Sequence, residues 1–152
     1  MNVVDIEESI QTIVEKGYKP TSFIYDFMKA YDAPPALIKQ IKGGHQDFSD
    51  LDGGVLWRRN LHYKTAPEGR VGDVIEELQR SEATQKYKIR YIITTDGKEF
   101  AARDLKGGTS VNCFFDELGA HFQNFLPLAG IFVDEAIEEN PIDIKATKRL
   151  TK

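Results

Sequence analysis

A single cysteine, Cys113, stands among 152 residues, so no internal disulfide framework can form. With that one thiol and three histidines, His45, His62 and His121, the chain has no spacing that would hold a structural zinc. No apolar run approaches the roughly 18 residues that a membrane-crossing helix needs. The opening Met1-Asn2-Val3-Val4-Asp5 lacks the basic and apolar regions of a secretory signal, so a cytoplasmic protein with no membrane partner is expected. Positive charge is also short: 20 Lys and Arg face 24 Asp and Glu, giving a net charge of −4 and a pI near 5.4. Non-specific nucleic-acid binding draws its affinity from neutralised phosphates, so such a chain would meet DNA through a local patch or as part of something larger. Repeats and low-complexity tracts are missing. The pairs Gly43-Gly44 and Gly53-Gly54 are turns, because neither is followed by the Gly-Lys-Ser/Thr of a phosphate loop.

What is present describes one globular domain: hydrophobic residues make up 41% and charged residues 29%, at a length that supports one core. Ile6, Ile10, Ile13 and Val14 form a helical stripe over 4–16 that Gly17 ends. Pro20 suits the first turn of a second helix, whose Phe23, Ile24, Phe27, Met28 and Tyr31 share a face and read as core. Pro35 starts a short third helix through Ile41. Val71, Val74, Ile75 and Leu78 mark an amphipathic helix over 70–81. Lys88 to Thr94 reads as a buried strand, and Asp96-Gly97 joins it to a strand from Glu99 to Arg103. A turn at 106–108 leads to a strand from Ser110 to Phe114, and Asp116 would cap a helix that Pro127 ends. An acidic stretch over 134–139 precedes a helix opening at Asn140-Pro141, and the sequence stops inside it, as a fragment of a longer polypeptide would.

The stretch richest in chemistry is Asp52 to Lys64. A turn at Asp52-Gly53-Gly54 opens a strand predicted over 55–64, in which Val55, Trp57, Leu61 and Tyr63 share one face and Arg58, His62 and Lys64 the other. An Asp, nine residues, then His62 and Lys64 one residue apart is close to a metal-dependent nuclease signature that lacks one carboxylate. Arg58 and Lys64 are candidate contacts to DNA phosphate, or else the solvated edge of a half-buried strand.

Four passages in order resemble the N-terminal domain of the MmeI-like family of type II restriction–modification proteins. They are Phe23-Ile24-Tyr25-Asp26-Phe27; the 55–64 strand with the helix after it; Arg90 to Asp96, running on through Arg103-Asp104-Leu105 to Phe125–Gly130; and Asn140 to Ala146. In that family a nuclease module precedes an adenine-specific DNA methyltransferase and a target-recognition domain. The resemblance implies a nuclease motif of Asp, nine residues, Glu, one residue and Lys, which falls on Asp52, His62 and Lys64. Asp52 and Lys64 match and His62 departs. Magnesium prefers carboxylate and water oxygens, and a neutral imidazole suits transition metals better, so Asp52 alone would hold the ion weakly unless Asp50 or Glu68 came close.

The expected fold is α/β in the broad sense (α+β): N-terminal helices on a small mixed sheet, compatible with a restriction-endonuclease-like core, possibly degenerate. Residues 1–139 would form the nuclease-like domain, and 140–152 would begin a helix leading into a helical spacer. The expected role is a non-catalytic nuclease-like domain of an adenine-specific DNA methyltransferase that assists DNA binding or packs on the downstream domains. An active divalent-metal endonuclease and an interaction module without DNA contact are the alternatives. No cofactor is assigned to the chain itself. Magnesium enters only with nuclease activity, and S-adenosylmethionine would bind beyond Lys152, because no glycine-rich methyltransferase motif is present. Double-stranded DNA is the expected partner of the whole protein.

Overall fold

The computed structural model describes residues 2–44 and 48–132. Helix α1 (Val3–Lys16) starts at a capping box, in which the Asn2 side chain accepts from the Asp5 amide and the Asp5 carboxylate accepts from the Asn2 amide. It stops at Gly17, whose φ of 85° breaks the helical run. Its stripe buries Ile6 and Ile10 completely. Helix α2 (Phe23–Ala30) and helix α3 (Pro35–Lys42) follow. Five strands then form one mixed sheet in chain order: β1 (Val55–Trp57), β2 (Leu61–Thr65), β3 (Tyr91–Thr95), β4 (Glu99–Asp104) and β5 (Ser110–Phe114). Only β2 and β3 run parallel, and between them the chain crosses over through α4 (Val71–Arg80) and α5 (Glu82–Lys86). The result is the α+β fold that the sequence pattern implies.

Alternation along the strands gives the sheet two buried faces. On one, Tyr63, Tyr91 and Phe100 meet Phe23, Phe27 and Tyr31 of the α2 region and Phe125. Phe27 and Phe125 pack edge to face at 5.4 Å, and Tyr31 donates to the Phe122 carbonyl at 2.7 Å. The aromatic stripe of α2 is therefore core, each fully buried ring contributing on the order of 2–3 kcal/mol through burial. On the other face Leu56, Ile92 and Ala101 pack against Val71, Val74, Ile75 and Leu78 of α4, with Ala83 and Ile89. No helix among the described residues is long and apolar enough to cross a membrane.

Three local expectations need correction. The strand predicted over 55–64 is a hairpin, with β1 and β2 antiparallel around the turn Arg58-Arg59-Asn60. Arg59 adopts a φ of 68°, the Asn60 amide donates to the Trp57 carbonyl at 2.9 Å, and the Asn60 side chain donates to the Arg58 carbonyl at 3.1 Å. Because three residues turn the chain, Val55 pairs with Tyr63 and Trp57 with Leu61, so the expected apolar face survives the reversal. Arg58 leaves the opposite face, and Leu56 takes the place beside His62. Second, Lys88 precedes its strand: it sits in a turn at φ 54°, and β3 begins at Tyr91. Third, the helix expected from Asp116 is a 3₁₀ helix, Phe115–Ala129, that passes through Pro127. Its cap is Phe114, whose amide donates to Glu117 Oε1 at 3.0 Å, and Phe115, Leu118, Phe122, Phe125 and Leu128 face the core about three residues apart, as a 3₁₀ helix requires. The acidic stretch, the Asn140 helix and the boundary at 139/140 lie outside the described residues, as does His45.

Candidate functional site

Strand β2 carries His62 and Lys64 on the face covered by α4. His62 is fully buried, and both ring nitrogens have hydroxyl partners. Thr84 Oγ1 donates its hydrogen to the Leu78 carbonyl at 2.8 Å, so it accepts from His62 Nδ1–H at 2.9 Å. Nε2 is then the acceptor for Ser49 Oγ at 2.7 Å, while that same oxygen accepts from the Leu51 amide at 3.1 Å. These partners assign a neutral imidazole with its proton on Nδ1. Burial pushes the His62 pKa down to about 4, and the charge of Asp50 pulls against that shift.

Lys64 Nζ lies 2.8 Å from Glu77 Oε1 on α4, and its side chain is 22% exposed. Thr94 Oγ1 donates to the Lys64 carbonyl at 2.6 Å, fixing the strand beneath it. Farther along the same face, Arg103 is held by Glu76 at 2.7 Å and by Gln79 at 3.2 Å. Of the two cations expected to face DNA, Lys64 is thus met by a carboxylate of α4. Asp52 is exposed in the turn before β1, where the Gly54 amide donates to the Leu51 carbonyl at 2.9 Å and Gly53 takes a φ of 73°. The β1–β2 register puts Asp52 and Lys64 toward the open end of the hairpin and Arg58 at its closed end, where the guanidinium lies 4.9 Å from the centre of the Phe48 ring. Arg58 and Lys64 therefore do not form one patch.

Neither carboxylate considered as a substitute meets Lys64. Asp50 accepts from Ser81 Oγ at 2.5 Å and from the Ala83 amide at 3.4 Å, and the Ser81 bond holds it below the usual carboxylate range. Glu68 pairs with Lys98. The carboxylate that does reach Lys64 is Glu77, which is thirteen residues along the chain and follows a strand-to-helix reversal, so no local spacing marks it. Among the described residues no group of three or more His, Cys, Asp or Glu side chains is arranged to hold a metal ion. With His62 turned to hydroxyls, the residues as they stand do not fit a magnesium ion.

Comparison with known proteins gives a consistent assignment. The family described as MmeI, N-terminal domain matches residues 1–152. A curated relative, DNA methyltransferase A of Bacillus subtilis (strain 168), is 31% identical over 152 residues, covering 100% of this chain and 17% of that protein. The chain thus spans about a sixth of the length of the relative it matches. No solved structure matches it.

Proposed function

Since this chain belongs to the MmeI N-terminal domain family, we propose that it is a nuclease-derived, non-catalytic domain of an adenine-specific DNA methyltransferase of the restriction–modification type, assisting DNA binding or domain packing. Methyl transfer from S-adenosylmethionine would belong to the rest of that protein. The hairpin β1–β2 followed by a helical crossover to a parallel β3 is compatible with a restriction-endonuclease-like core.

The observation that carries this reading is His62. It stands where the family pattern has a metal carboxylate, and it is buried, neutral and bonded to Thr84 and Ser49. An imidazole with both nitrogens committed has no lone pair for an incoming ion, and magnesium disfavours nitrogen in any case. What these residues do instead is structural: His62 ties the 48–54 loop and α5 to the sheet, and Glu77 neutralises Lys64. The test is incubation of the full-length protein with plasmid DNA and magnesium or manganese. No cleavage attributable to Asp52 is expected, and methylation should persist in Asp52→Ala. Cutting that Asp52→Ala abolishes would overturn the reading.

Glu77 favours a second reading, an active endonuclease in which the missing carboxylate comes from α4 rather than from β2. It requires that Asp52→Ala and Glu77→Ala each remove cleavage.

A further inference from the structure

At the closed end of the β1–β2 hairpin, a cleft of about 490 Å³ is lined by Leu37 and Ile41 of α3, Leu56, Trp57, Arg58 and Arg59 of the hairpin, Lys86 at the end of α5, and Tyr87 and Lys88 after it. Among the described residues its lining holds four cations and no carboxylate, in a chain whose net charge is −4. Arg59 and Lys88 also line an adjoining cleft of about 320 Å³, which adds Lys106, and Arg90 beside it is tied to Asp104 at 3.0 Å. Among the described residues Arg59, Lys86, Lys88 and Lys106 have no carboxylate within ion-pair distance. Outside the two clefts Lys64, Arg70, Lys98 and Arg103 each have an acidic partner, while Lys16, Lys19, Lys29, Lys39, Lys42 and Arg80 are spread over the helices and the loop before α2 and line neither cleft.

The backbone fixes where these charges sit. The Arg59 amide donates to the Tyr87 carbonyl at 3.0 Å, and the Asn60 carbonyl accepts from the Tyr91 amide at 2.9 Å, so the hairpin turn and the turn before β3 are joined. Among the described residues, Arg59 and Lys88 are two of the three non-glycine residues with positive φ, at 68° and 54°. A long cationic side chain in that conformation costs of order 1 kcal/mol relative to glycine, so the local backbone alone would favour glycine at both positions.

We infer that this cleft grips the phosphate backbone of duplex DNA, at the end of the sheet opposite Asp52 and Lys64. The inference rests on the reading above that the chain serves a DNA-modifying protein, and it names the surface. Fixed cations without interleaved acid suit a polyanion of regular charge, because each phosphate neutralised releases condensed counterions. Half-buried Trp57 and Tyr87 line the same cleft.

The test uses the full-length protein carrying Arg59→Gly and Lys88→Gly. Glycine accepts the positive φ, so the thermal midpoint should hold or rise while two cations are removed. Binding of a fluorescent non-specific duplex, followed by anisotropy across a salt series, should show the slope of log K against log salt shrinking by about 2. Lys86→Gln with Lys106→Gln, both outside the strands, should reduce it comparably and decides the matter if the glycine variant misfolds. An unchanged slope in a folded variant overturns the inference, and a protein partner with acidic segments would then be the better occupant. If Lys64→Gln takes the slope instead, the inference fails while a DNA role for the domain stands. If no variant changes DNA binding and Asp52→Ala abolishes cleavage, the reading of the domain as non-catalytic fails independently.

Discussion

His62 stays neutral because the fold surrounds the imidazole with apolar side chains and two hydroxyls. Its folded pKa of about 4 lies below the ordinary 6.5, so between those values the unfolded chain binds more protons than the folded one. Stability from this residue is complete above pH 6.5 and is lost as the pH falls toward 4, by roughly 3 kcal/mol in all at 1.36 kcal/mol per unit. Urea midpoints measured from pH 7 to pH 4 should decline across that window, and His62→Gln should flatten the decline. Asp50 is the acidic neighbour, and its own lowered pKa moves its contribution to more acidic pH. A second expectation concerns restoring the family pattern. His62→Glu would place a carboxylate where only the Ser49 and Thr84 hydroxyls meet it. It should cost a few kcal/mol in chemical denaturation and yield no magnesium-dependent cleavage.

At the scale of elements, the β3–β4 hairpin is tied on several sides. Asp96 accepts from the amides of Lys98 and Glu99 through Oδ1 and from that of Gly69 through Oδ2, which ties the loop before α4 to the turn. Gly97 has a φ of 95°, and a Cβ there would lie 2.7 Å from Tyr18 Cδ2. Tyr18 in turn contacts the Tyr63 hydroxyl at 3.1 Å, so the strain would pass to β2. Gly97→Ala should lower stability by more than about 1 kcal/mol, read from the thermal midpoint. At the end of β4, Asp104 accepts a two-point bond from Arg90, at 3.1 and 3.0 Å, and further bonds from the Lys106 and Gly107 amides. Both partners are nearly buried, at 14% and 8% exposure. Asp104→Asn strands Arg90 without a counter-charge and should destabilise by roughly 3 kcal/mol, measured by denaturation at neutral pH. The elements themselves were legible wherever period and punctuation agreed: α1, α4 and the Asp96-Gly97 hairpin follow from apolar spacing and glycine. The β1–β2 turn was not, because Arg58-Arg59-Asn60 contains no glycine or proline and its apolar parity runs through the reversal unbroken.

Over the whole molecule, the net charge is −4. The acidic excess opposes DNA, so a small cationic edge would have to act alone. The 152-residue chain should therefore bind a duplex weakly and lose roughly fiftyfold in affinity when salt is tripled, for about four phosphate contacts, as titration calorimetry or anisotropy would record. In the full protein such a contact adds to whatever else holds the DNA, and its worth is set by effective concentration.

Composition and periodicity by themselves determined α1 to α4, most strands, the aromatic core and the α+β class, because burial of apolar side chains at fixed spacing is a local property of the chain. They left out α5 and the 3₁₀ form of 115–129. The resemblance to the MmeI-like family, not composition or periodicity, implied that the family's motif falls on Asp52, His62 and Lys64. Only the tertiary structure decided what surrounds them. It buried His62 between two hydroxyls, brought Glu77 across from α4 to Lys64, and separated Lys64 from Arg58 by folding one expected strand into two. It also gathered Arg59, Lys88 and Lys106 from separate turns, with Lys86 from the end of α5, around two adjoining clefts. Charges distant in sequence become neighbours only through the sheet register and the crossover, and no local spacing encodes that.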